Sequence, residues 1–159
     1  MNLHKRFEEE LASIGAGGSH TIAVEDLPRK LRCDIAERNS LAVSFNLLRL
    51  STAELASAET AKLERIGKAL GERLTYLMEP ISPIEIDAEG CVVQLRSNPP
   101  QRDDDGRSYY ELTVSRGGQI ALARYRKENG NARQPIPATV TREVLLKLVS
   151  DFCGVLEKS

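Results

Sequence analysis

The chain has 159 residues, 41% hydrophobic and 28% charged, with 22 basic against 23 acidic side chains for a formal charge of −1. That length suits one domain with one core, and the balance excludes a disordered or fibrous chain. A charge near zero supplies no general attraction to nucleic acid or lipid, and 4% aromatics without Trp predict an aliphatic core.

The charge is unevenly placed: from Arg107 to Lys147 eight basic residues stand against three acidic ones, and the remainder is acidic. No run approaches the roughly 20 apolar residues of a membrane span. Lys5-Arg6 is followed by Glu8-Glu9-Glu10 and not by an apolar signal core, so export is not expected. Cys33, Cys91 and Cys153 are odd in number and far apart, which predicts neither a disulfide framework nor a zinc site. A reduced, cytoplasmic setting is the expectation.

Leu3, Phe7, Leu11 and Ile14 recur at helical spacing and predict an N-terminal helix, stopped by a left-handed Gly15. From Ser19 the period becomes two, with a short strand at 20–24. Leu31, Cys33 and Ile35, then Leu41, Val43, Phe45 and Leu47, predict paired strands near 30–36 and 41–50. A helix over 27–38 started by Pro28 is the rival reading.

Leu63, Ile66, Leu70, Leu74 and Leu77 mark a long central helix ending before Pro80, with Ser51 or Ser57 as its cap. Gly67 and Gly71 lie one turn apart on it. They either permit close approach at a dimer seam or are tolerated among aliphatic contacts. Ile84 and Ile86, then Cys91, Val93 and Leu95, predict a second hairpin over 84–97. Residues 97–107, polar with two prolines, predict an exposed, mobile loop. Its Asp103-Asp104-Asp105 run lacks the alternate spacing of a calcium loop.

A third hairpin spans 108–126. A three-residue turn, Arg116-Gly117-Gly118 with Gly118 left-handed, sets Val114 opposite Ile120 and Leu112 opposite Leu122. Tyr110 then faces Arg124 as a cation–π pair. After a proline-containing connection, Thr141 caps a final helix through Leu145, Leu148 and Phe152.

The sum is one α+β domain over 1–159: an antiparallel sheet with hairpins near 30–50, 84–97 and 108–126, flanked by N-terminal, central and C-terminal helices. This order of elements resembles that of small secretion chaperones, which bind partner polypeptides as dimers; the extra C-terminal strands depart from it. The near-neutral charge, the aliphatic helix faces and an antiparallel edge favour a non-catalytic protein-binding adaptor or chaperone-like module, with a protein partner or a second copy of itself. The alternative is an anion or nucleic-acid binder using Arg116, Arg124, Arg126, Lys127 and Arg133, with Tyr109 for stacking. A solvated edge guarded by charge is the plainer account of the same residues. No nucleophile, base and oxyanion site come together: His4 and His20 lack diagnostic partners, and the glycine-rich loop at 15–18 leaves a helix where a phosphate loop would enter one. No catalytic, metal or cofactor residue is assigned.

Overall fold

The computed structural model describes residues 2–157. Asn2 caps the first helix, its Oδ1 accepting the Lys5 N–H at 2.8 Å, and α1 (Leu3–Ser13) buries Leu3, Phe7 and Leu11. The stop differs from expectation. Ile14 is already extended, with φ −78° and ψ 141°, and its carbonyl accepts a hydrogen bond from the Arg38 guanidinium. The left-handed glycine is Gly17, at φ 102°, whose N–H bonds the Arg38 carbonyl at 2.8 Å. Because the chain is already extended at Ile14, no left-handed residue is needed at Gly15.

Three strands follow as a meander, β1 (His20–Asp26), β2 (Arg29–Arg38) and β3 (Ala42–Thr52). The rival helix over 27–38 is therefore absent. Asn39 makes the β2–β3 turn, its Oδ1 accepting the N–H groups of Leu41 and Ala42 at 2.8 Å each. The inward alternation predicted through Leu41 and Leu47 fails at both: Leu41 is 81% exposed, and after Phe45 the buried positions shift to Leu48 and Leu50. Asp34 pairs with Leu47 and Ile35 with Phe45, so Asn46 is an extra residue on β3 and changes its face, and a second shift leaves Ala36 extra on β2.

Thr52 caps a single 3-10 turn over 53–55, and α2 (Thr60–Arg73) starts at Glu59 without a side-chain cap, using neither Ser51 nor Ser57. Leu63, Ile66 and Leu70 are buried along it, with Leu74 and Leu77 in a closing 3-10 turn. Each such leucine contributes about 2 kcal/mol on leaving water. Met78 then turns the chain in the left-handed region, at φ 65°.

The second half comprises β4 (Ile81–Asp87), β5 (Val92–Ser97), β6 (Gln101–Arg102), β7 (Gly106–Ser115), β8 (Gln119–Glu128), β9 (Gln134–Ile136), β10 (Ala138–Thr141) and α3 (Arg142–Glu157). The β7–β8 hairpin has the predicted register, Val114 with Ile120 and Leu112 with Leu122, and Gly118 has φ 95°. The segment 97–107, expected as a mobile loop, contains β6 paired to the start of β7. Thr141 caps α3 as expected, its Oγ1 accepting the Val144 N–H at 3.1 Å.

Strand order is β1-β2-β3-β8-β7-β5-β4, antiparallel throughout. β3 and β8 pair over four residues only, Leu48–Ser51 with Leu122–Gln119, and then part. The proline-containing connection before α3 fills the gap, β9 on β8 and β10 on β3, with Pro137 between them. The helices share one face. α1 packs on β1 and β2, α2 on β4, β5 and β7, and α3 on β3 and β10, while α3 touches both other helices. Tyr76 donates to Asp151 at 2.7 Å, tying α3 to the end of α2.

Candidate interaction surfaces

Alternation along β7 sends Tyr110, Leu112 and Val114 toward the helices, and Tyr109, Glu111 and Thr113 to the helix-free face. Glu111 is only 6% exposed there. It accepts from Gln94 Nε2 at 2.6 Å and Arg96 Nη2 at 3.3 Å, and from the Arg133 guanidinium. Burial alone would raise its carboxyl, but the hydrogen bonds from Arg133 and Gln94 outweigh that and hold it below the usual carboxylate range. Arg96 lies over the Tyr109 ring at 4.5 Å and Arg133 over Tyr125 at 3.9 Å. The two tyrosine rings are 6.2 Å apart.

The basic cluster read from the sequence is divided by this geometry. Arg133 and Tyr109 belong to the Glu111 network. Lys127 donates to the Asn131 carbonyl at 3.0 Å. Arg126 is 2.9 Å from Asp103 and 3.7 Å from Glu128. Asp103, at the turn before β7, also accepts the N–H groups of Asp105 and Gly106; the Arg126 hydrogen bond first, then these, lower its carboxyl to about 2. Arg124 is buried on the helix side, 3.0 Å from Glu79 and 4.6 Å above Tyr110. Arg116 sits exposed at the hairpin tip. Most of these cations already face a carboxylate, which leaves little free charge for phosphate.

Gly67 and Gly71 face inward. A Cβ on Gly67 would stand 2.8 Å from Leu95 Cδ1, and one on Gly71 2.9 Å from the Ile81 carbonyl oxygen. The close approach they permit is that of α2 to its own sheet. Sequence reasoning missed Glu111, Glu79 and Arg96, the residues that organise the cations. The signal was present for Glu111, which shares the period-two face of Tyr109.

Two open clefts flank the α2–β4 turn. One of about 570 Å³ is lined by Pro80, Pro99, Pro100, Tyr110 and Arg124; the ion-paired Glu79 and Arg124 each keep one buried polar atom without a hydrogen bond. The other, about 510 Å³, runs between α2 and β4 past Gly71, Leu74 and Ile81. Met78, 86% exposed, lines both. Among the described residues no group of three or more His, Cys, Asp or Glu could hold a metal ion, and no helix is long and apolar enough to cross a membrane.

The sheet edges are unlike. β4 carries Pro83, which has no N–H to offer, and a register shift between Pro83 and Glu85. β1 pairs with β2 through seven consecutive residues without a shift, has neither Pro nor Gly, and leaves its outer backbone groups open. A groove of about 510 Å³ runs between α1 and this edge, its charged rim formed by Glu9, Glu10 and Glu25 against a single basic residue, Arg6. No protein-family model, curated protein or solved structure matches the chain.

Proposed function

We propose that the chain is a non-catalytic, chaperone-like adaptor that takes an extended segment of a partner polypeptide as an added strand on β1. The asymmetry of the two edges carries this reading. Proteins usually blunt an edge with Pro, a bulge or a break in register, as at β4; β1 is regular over its whole length. An incoming strand gains main-chain hydrogen bonds there, and alternate side chains meet α1 on one face. The acidic rim favours a segment with basic residues among its apolar ones.

Absence of catalysis is part of the same proposal. The Cys33 thiol is pushed up by burial, opposite to the shift a nucleophile needs. Three free cysteines accord with a reducing, cytoplasmic setting.

Selection of peptides from a displayed random library tests the proposal. An enriched peptide should protect the amides of residues 20–26 from hydrogen exchange and leave 81–87 unprotected. Methylation of alternate backbone nitrogens in that peptide should abolish binding. Protection confined to another surface would refute the edge as the site.

A homodimer is favoured by a different surface. Met78, which lines the α2–β4 cleft, and Ile84 and Ile86, farther along β4, are exposed, apolar projections near an apolar recess of the kind that a two-fold axis can match to itself.

A further inference from the structure

On the helix-free face, Arg32 of β2 and Arg49 of β3 stand directly opposite one another. Like charges in that relation repel and weaken the sheet. Arg32 is partly neutralised by Asp34, at 2.9 Å. Among the described residues no carboxylate comes within ion-pair distance of Arg49, which is half-buried. The contrast lies on the same face, where Arg96 and Arg133 are both held by Glu111 and stacked on tyrosines. Arg49 is a sheet cation whose counter-charge the described chain does not supply.

The neighbours suit an incoming group. Across the strands the row runs Ala23, Arg32, Arg49, Ala121, Thr113, so short side chains flank the arginine pair. Lys30, two residues along β2 and paired with Ser51, is on the same face but stands opposite Glu25 of β1, so the arginine pair carries the free charge. None of the three cations lines one of the clefts described, so a free small anion would gain only solvated contacts. A chain bearing several carboxylates gains from every cation in turn. Bases find no platform, because Tyr109 and Tyr125 are covered by Arg96 and Arg133.

We propose that Arg32 and Arg49 form a docking point for the acidic side chains of a partner polypeptide laid across the helix-free face of the sheet; this rests on the protein-binding function proposed above. The partner is recognised by carboxylates spaced along an extended chain, bound as charge-assisted pairs with the two guanidinium groups.

Fluorescence anisotropy with a labelled peptide of alternating glutamate and alanine tests the pair. The full chain should bind it at low salt, more weakly as salt rises, and should ignore a lysine–alanine peptide. Arg49→Gln and Arg32→Gln should each lower affinity by about tenfold, the loss of one charge-assisted contact. Arg49→Gln should melt no lower than the parent, since it removes a repulsion. The proposal is overturned if the glutamate peptide does not bind, if Arg49→Gln binds it equally well, or if Arg49→Gln melts several degrees lower, which would make the arginine structural. Preference for a single-stranded oligonucleotide over the peptide would overturn it as well. Arg49→Gln should leave intact the amide protection of β1 by a library-selected peptide, so failure at the arginine pair and failure at the edge are read separately.

Discussion

Arg133, in the connection after β8, reaches back over the Tyr125 ring to pair with Glu111 in the middle of β7. The pair fastens a polar segment across the sheet face, and Arg96 approaches the same carboxylate from β5. Glu111→Ala should therefore leave two arginines without their shared partner. Breaking a buried pair from one side costs about 3 kcal/mol, measurable by urea unfolding. Glu111→Gln should cost less, because it keeps the shape and an acceptor.

Acid should act through the same residue. The Glu111 carboxyl is held below its ordinary value of 4.5, so the folded state prefers the ionised form. Its contribution to stability is complete above that ordinary value and is lost as pH falls through the lower folded one. Melting temperature recorded against pH should drop across this acid range, and by less in Glu111→Gln than in the parent.

The glycines of α2 should respond unequally to alanine. Either substitution gains up to about 1 kcal/mol of helix propensity. At Gly67 the new methyl meets the end of the Leu95 side chain, which can turn aside; at Gly71 it meets the Ile81 backbone carbonyl, which cannot. Gly71→Ala should lower the melting temperature, and Gly67→Ala should change it less.

Thiol labelling should order the cysteines by burial. Cys33 and Cys91 are buried and Cys153 is half-buried. Burial raises the Cys33 and Cys153 thiols, Cys33 the more strongly. A thiol reagent at neutral pH should modify Cys153 first and slowly, and Cys33 only as the chain unfolds.

If the α2–β4 surface joins two copies, Met78→Lys combined with Ile86→Lys should convert a dimer to a monomer in light scattering while leaving the circular dichroism spectrum unchanged. A parent chain that is monomeric at tens of micromolar, about the upper range of ordinary assays, would remove this interface.

The third hairpin was readable in the sequence down to its register because three conditions agreed: alternation on both arms, a glycine pair between them, and one turn length that kept Leu112 with Leu122. The α3 cap at Thr141 was equally local. What escaped was set by distant residues. The face change after Phe45 accompanies register shifts in the β2–β3 pairing, and β9 and β10 exist only because β3 and β8 part and leave backbone groups to satisfy. Charge was misread for a similar reason. Counting Arg124, Arg126 and Arg133 along the chain could not reveal that Glu79, Asp103 and Glu111 would come to stand against them.

The narrow seam between β3 and β8 bears on how the chain acquires its fold. β1 to β3 form a meander of sequence neighbours, and so in large part do β4 to β8, whereas the seam joins Leu50 to Ile120. Closing so long a segment costs chain entropy before any contact rewards it. Two locally nucleated halves and a late joining step follow from that topology. Stopped-flow refolding should show it: Leu48→Ala, in the seam, should mainly quicken unfolding, while Val114→Ala, in the third hairpin, should slow folding. Until the seam closes, each half presents a bare strand to its neighbours in solution, and self-association during refolding should rise with protein concentration.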